Sequence, residues 1–220
     1  MPSAVRTIGI LGAGRVGTAL GRQALKAGYD VKIATGRPPA EIALIVDMLV
    51  PGAEAVTVEA AIQDGDIVVL ALPLGKYRSL APESLADKIV IDAMNYWAPT
   101  DGVLSEFEGD ASSSEVVQRF LPRARVVRTL NHIGYHELEE QGLPPGHPER
   151  QALALAGNDP EARQVVAAFL DRLGYDPVDA GDLAAGRIFD VGTAVFGGQL
   201  RRSEMHRLLQ SVSPMAQAAE

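Results

Sequence analysis

Three glycines at a fixed spacing, Gly12-x-Gly14-x-x-Gly17, lie near the start of the chain, between the apolar run VRTIGIL and a helix-patterned segment. At a strand-to-helix turn this spacing has a mechanism. The first glycine permits the tight turn, the second lets the backbone approach a pyrophosphate, and the third lets the helix pack close to the strand. The helix then presents free N–H groups and the positive end of its dipole to the phosphates. Ala13, Arg15 and Val16 complete the loop, so residues 12–17 read as the cradle of a dinucleotide.

The second chemical position falls about twenty residues further on, where NAD-binding versions of this unit place an acid on the ribose hydroxyls. Here the strand YDVKIAT runs into Thr35-Gly36-Arg37, with no acid. Arg37 can pair with a ribose 2′-phosphate through charge-assisted hydrogen bonds. The Thr35 hydroxyl and the Gly36 N–H are further donors. The turn therefore predicts NADP rather than NAD as the cofactor.

Ligands of open α/β sheets bind off the carboxyl ends of the strands. Leu72, Pro73 and Leu74 end the fourth strand candidate, and Ala93, Met94 and Asn95 end the fifth. Both groups are expected to flank the nicotinamide and its ribose. Asn131, His132, Ile133 and Tyr135 follow the sixth strand candidate and are expected beside the second substrate. His132 and His136 invite a metal reading, but no third ligand is apparent and a catalytic zinc needs three. Arg187 and Asp190, three apart, read as a helix-surface ion pair. No Ser-His-Asp or paired-carboxylate arrangement stands out. Hydride transfer asks for none, because the cofactor carries the reaction and the protein aligns two partners.

The elements that position these residues follow from periodicity. Strands are expected at 5–11, 29–35, 53–58 (a short one, AEAVTV), 66–73, 88–94 and 123–130, with helices between them, the segment GKYRSLAPESLAD included. Val16, Leu20 and Ala24 recur at helical spacing, and Gly28 closes that helix. Ser112 and Glu115 stand at capping-box spacing. Strands apolar on both faces and alternating with helices predict a Rossmann-type, doubly wound α/β fold with a mostly parallel sheet. After a proline-rich loop, LPPGHPER, come a strand (QALALAG), a helix with Asp159 as N-cap, a strand (YDPVDAG) and a last helical region from Leu183 to Leu209. A patternless tail follows from Ser211. Residues 1–140 are read as the NADP-binding core and 141–220 as an extension that closes the substrate pocket on the same sheet.

Composition sets the outer bounds. The chain has 220 residues, 47% hydrophobic and 22% charged, as expected of a soluble globular protein. It has no cysteine, which excludes disulfides, zinc-thiolate sites and thiol catalysis. The net charge of −8 argues against nucleic acid as a partner. No apolar run is long enough to span a bilayer, and no leader pattern opens the chain. A cytoplasmic protein with no membrane partner is expected. The helical stretch QLRRSEMHRLL reads as a docking helix, within the chain or in a homodimer.

With these motifs in hand the chain resembles the F420:NADP oxidoreductases, reductases of the deazaflavin coenzyme F420. The resemblance rests on IGILGAGRVGTALGRQALKAGYDVKIATGR, on DIVVLALPLGKY and on GYDPVDAGDLAAGRIFD, and runs from about residue 5 to 205. The nucleotide-binding domain of transmembrane ferric reductases shares the early motifs. The resemblance implies a Rossmann core with NADPH across the sheet edge and a deazaflavin stacked on its nicotinamide. It places Gly12, Gly14, Arg15, Val16, Gly17, Thr35, Gly36 and Arg37 on the NADPH. Thr35 falls where the family often has serine, and Gly36 intervenes before the arginine. Segments 91–102 and 131–148 differ from the archaeal versions, so the second substrate is less constrained than the nucleotide. Three readings stay open: a reductase of coenzyme F420 or a flavin, a reductase of an imine, carbonyl compound or ferric chelate, and a non-enzymatic NADP sensor.

Overall fold

A computed structural model describes residues 5–109 and 111–212. The chain order is β1 (Thr7–Leu11), α1 (Arg15–Lys26), β2 (Asp30–Ala34), α2 (Pro39–Leu49), β3 (Glu54–Ala55), α3 (Val58–Asp64) and β4 (Ile67–Leu70). Then follow β5 (Ile89–Asp92), α4 (Ala98–Asp101), α5 (Ser113–Phe120), β6 (Arg125–Arg128), α6 (Tyr135–Glu140), β7 (Ala152–Gly157), α7 (Pro160–Leu173), β8 (Asp176–Asp179) and α8 (Arg202–Val212). The strands form one sheet in the order β3-β2-β1-β4-β5-β6-β7-β8. From β3 to β6 all pairings are parallel. β7 runs antiparallel to β6, and β8 is parallel to β7. This is the Rossmann order, extended by two strands.

The sheet is apolar on both faces because helices cover both. Ile8, Ile10, Val69 and Ile91 pack on one side with Leu20 and Ala24 of α1. Val68, Leu70 and Val90 pack on the other with Ala61 and Ile62 of α3. A third cluster joins Ala152, Ala154 and Ala156 of β7 to Phe189, Met205 and Leu209. β1 lies between β2 and β4, and the connections of the chain leave it in opposite directions. That switch point opens a crevice at the carboxyl ends of β1 and β4, the expected ligand position in such sheets.

Two stretches differ from the periodicity. The β4–β5 crossover is two 3-10 helices, Leu74–Ser79 and Pro82–Leu85, where a regular helix is predicted. Gly75 weakens an α-helix there, and Pro82 lacks the N–H needed to continue one. Residues 183–201 are not one helix either. A 3-10 helix, Leu183–Phe189, gives way to turns before α8. Gly192 and Gly197 take positive φ of 88° and 70° there and interrupt the helical path. α8 runs on through Val212, past the predicted start of the tail at Ser211, and 213–220 lie outside the described residues. No helix of the described residues is long and apolar enough to cross a membrane.

The predicted caps form. Ser112 accepts the Glu115 N–H, and Glu115 returns a bond to the Ser112 N–H. Asp159 accepts the Ala162 N–H at 3.0 Å and pairs with Arg125 at 2.6 Å. Asp159→Ala should therefore lower the urea-unfolding free energy by about 1–2 kcal/mol near neutral pH. The Arg125 bond, then the Ala162 N–H, hold this carboxyl at about 2 rather than 3.8. A depressed carboxyl stabilises the fold above its unfolded value, so the deficit of the variant should be complete above about pH 4 and fade as the pH falls toward about 2.

Candidate functional site: an acid-free cleft at the switch point

The glycine loop has the geometry that its spacing predicts. Gly12 has a φ of +128°, and a Cβ placed on it would meet the Ala71 carbonyl oxygen at 2.2 Å. A Cβ on Gly17 would meet the Gly12 carbonyl oxygen at 2.1 Å. Only glycine permits these two backbone approaches. At Gly14 nothing lies within 4 Å of the Cβ position, so that backbone faces open space. Gly14 caps α1 without a side-chain hydrogen bond, and the first turn of α1 carries no acid. The terminal N–H groups of that turn have no carboxylate to satisfy them, and they sit at the positive end of the helix dipole.

A cleft of about 700 Å³ opens over this loop. One wall is Ala34 to Arg37 with Ile42 and Ile45 of α2, and the other is Ala71 to Pro73 with Lys76, Ser79 and Leu80. Its lining includes two cations, Arg37 and Lys76, and no acid, in a chain of net charge −8. The Arg37 N–H donates to the Thr35 hydroxyl at 3.1 Å, which sets the turn and leaves that hydroxyl's own proton to donate elsewhere. The cradle is open, cationic and backed by unsatisfied N–H groups, so it fits a phosphorylated dinucleotide. Lys76 and Ser79 were not among the sequence candidates. The one available signal was a lone lysine three residues past Pro73 in an otherwise apolar run.

The structure gathers Gly12, Ala13, Gly14, Thr35, Gly36, Arg37, Leu72 and Pro73 around this cleft. Arg15 is exposed at its rim and Val16 packs against the core. Gly17, Leu74, Ala93 and Met94 are buried. Asn95 and Asn131 bind each other across the carboxyl ends of β5 and β6. The Asn95 amide donates to the Asn131 carbonyl at 2.6 Å, and the Asn131 amide donates to the Asn95 side chain at 3.2 Å. Leu130 makes this possible with a φ of 65°, an uncommon turn for a branched residue. Ile133 lies in the core, while half-buried Tyr135 stands under the Arg15 guanidinium, 5.6 Å from its ring. Tyr135 thus comes back to the glycine loop, although they are far apart in sequence.

Behind these residues lies a buried polar network. Arg128 ion-pairs with Asp190, donates to Ser114 at 2.8 Å and lies 3.8 Å from Asp92. Ser114 in turn donates to Asp92 at 2.6 Å, and the Met94 N–H does so at 3.0 Å. Asp190 therefore serves a buried arginine of β6, where the sequence predicts a helix-surface pair with Arg187. Burial pushes the Asp92 carboxyl up, against the pull of Arg128.

His132 is also enclosed. Its Nε2 accepts the Ala154 N–H at 3.1 Å, so Nδ1 carries the proton and faces the Asn131 side-chain oxygen at 3.2 Å. Burial, then the charge of Arg128, lower its pKa from 6.5 to about 3. Such an imidazole holds its tautomer and exchanges no proton near neutrality. NMR of the ring nitrogens should show the Nδ1–H tautomer unchanged from about pH 8 to 5. The unfolded chain takes this proton below 6.5 and the fold refuses it until about 3. Stability from this group is therefore complete above the upper value and declines as the pH falls toward the lower.

Comparison with known proteins agrees with this geometry. Residues 7–96 match the protein family described as NADP oxidoreductase coenzyme F420-dependent. A crystal structure of a hypothetical protein from Sinorhizobium meliloti is similar with a TM-score of 0.78 and 29% identity, over 90% of this chain and 96% of that one. A candidate F420-dependent NADP reductase from Arthrobacter sp. FB24 is similar with a TM-score of 0.73 and 25% identity, over 90% of this chain and all (100%) of that one. Metalloreductase STEAP3 of Rattus norvegicus is 26% identical over 189 residues, 85% of this chain. The chain spans about a third of that relative, 36% of its length. Family likeness, sheet order and cleft converge on one description: a Rossmann-type α/β chain similar to NADP-dependent oxidoreductases.

Proposed function

We propose that the protein transfers a hydride between NADPH and a planar deazaflavin or flavin, coenzyme F420 foremost. The observation that carries the cofactor half is the acid-free cleft, where a glycine cradle and Arg37 share one cavity. The likeness to the F420-dependent family over 7–96 and to the Arthrobacter protein supports the acceptor half. The nicotinamide cofactor, when bound, supplies the hydride. The residues of the chain do the rest.

In this reading Gly12, Ala13 and Gly14 bring backbone to the pyrophosphate, and the N-terminus of α1, from Arg15 to Gly17, stabilises its charge. Thr35, Gly36 and Arg37 take the 2′-phosphate. Leu72 and Pro73 line the path toward the nicotinamide, with Leu74, Ala93 and Met94 as the packed layer beneath. Asn95 and Asn131 lock the ends of two strands together and hold the acceptor side rigid. His132 stays neutral and orients Asn131. Ile133 supports the turn, and Tyr135 offers the ring face that a planar acceptor needs. The protein's share is alignment and exclusion of water, which suits a site whose buried histidine does not titrate near neutrality.

The likeness to a protein named metalloreductase favours one alternative, reduction of a ferric chelate. We place the reaction in the cytoplasm on the absence of cysteine, and take the protein to work as a homodimer. Oxidation of NADPH, followed with F420, FMN, FAD, ferric citrate and a cyclic imine in turn, separates the readings. Fastest turnover with F420 supports the proposal. Turnover with ferric citrate alone supports the metalloreductase reading, and tight NADPH binding without turnover on any acceptor identifies a sensor. Arg37→Asp should weaken NADPH binding by roughly 100-fold, about 2.7 kcal/mol, while NADH changes little. Equal losses for both nucleotides would remove the role given to this turn.

A further inference from the structure

We infer that Lys76 is a second arm of the cofactor clamp, closing on the 2′-phosphate from the wall opposite Arg37. The inference rests on the NADP reading above and adds a specificity residue that the glycine-loop motif does not contain. Arg37 stands on the turn after β2 and Lys76 on the 3-10 helix after β4, and these strands flank β1 on either side. Both side chains line the same cleft.

Nearby cations are spent on acids. Lys32 pairs with Asp64 at 2.6 Å, and Arg78 with Glu106 at 3.5 Å. Lys76 and Arg37 have no ion pair among the described residues, and no carboxylate lines their cavity. Two like charges held in one acid-free cleft repel each other, and that arrangement becomes favourable when an anion enters between them. Two local hydrogen bonds shape the backbone at Lys76. Its N–H donates to Pro73 O at 2.9 Å, and its carbonyl accepts the Ser79 hydroxyl at 2.7 Å.

The choice among the phosphates of the cofactor follows from what each already has. The pyrophosphate has the glycine loop and the N-terminus of α1. The 2′-phosphate has Arg37 and the Thr35 turn, which are exposed and half-buried in solvent, where a single ion pair is weak. Between the two cations the lining is apolar, with Ile42, Val58 and Leu80, and that surface suits the flat adenine. Lys76 therefore lines the wall opposite Arg37 across this apolar surface, and the 2′-phosphate is the anion left to it.

Two fragments isolate the group without any turnover. Adenosine 2′,5′-bisphosphate carries the 2′-phosphate, and 5′-AMP does not. By calorimetric titration Lys76→Ala should weaken the bisphosphate about tenfold and leave 5′-AMP within about twofold. Lys76→Arg should keep most of the preference, and the discrimination should shrink as salt rises. If the wild type itself fails to prefer the bisphosphate, the NADP reading of the turn falls. If the wild type prefers it and Lys76→Ala keeps the full preference, or loses both fragments equally, the role given to Lys76 is overturned while that reading stands. The residue is exposed on a short 3-10 helix, so circular dichroism of the variant should match the wild type.

Discussion

Backbone against backbone is the constraint on which the molecule depends. β1 lies in the middle of the sheet, and main chain presses on it from both faces. A Cβ on Gly9 would come within 2.1 Å of the Ala61 carbonyl oxygen on α3, and one on Gly17 within the same 2.1 Å of Gly12. α1 and α3 pack on opposite faces, so the strand is gripped between two helices at distances that side chains would prohibit. This fixes the start of α1 over the carboxyl end of β1, and with it the direction of its free N–H groups. The cleft, its two walls and its charge all follow from where that turn is held.

A second constraint holds the far side of the site. Arg128 is almost fully buried, and a buried charge is tolerated only when it is paired and hydrogen-bonded. Its partners come from β5, α5 and the loop at Asp190, so one guanidinium ties the last third of the chain to the parallel sheet. The antiparallel β7 completes the attachment, because its Ala154 N–H ends on His132 and its carbonyl on Thr129. The side at the ends of β5 and β6 is thus built from contacts between distant parts of the chain, whereas the glycine-loop side is built mostly within local turns.

That contrast explains what could be read in advance. The glycine loop, the Thr35-Gly36-Arg37 turn and the caps at Ser112 and Asp159 are local devices, whose physics lies within a few residues. Their geometry was legible for that reason. The burial of His132 depends on an N–H from a strand some twenty residues away that runs in the opposite direction, and no periodicity reports it. Asp190 shows a neighbour at Arg187, while its buried partner is 62 positions away. Lys76 was missed for a different reason. Its place in the cleft depends on a crossover that periodicity reads as a regular helix and that proline and glycine turn into two tighter pieces.

That crossover has a consequence for how a ligand gains entry. A 3-10 helix closes shorter rings with poorer hydrogen-bond geometry than an α-helix, and its short runs gain little from cooperativity. The backbone hydrogen bonding of the wall after β4 is therefore weaker than that of the regular helix α2 on the facing wall. Local opening in folded proteins is drawn from such weakly protected segments. The two sides of the crevice are thus braced differently: the turn into α2 runs on into a regular helix, while the wall after β4 rests on two short 3-10 runs.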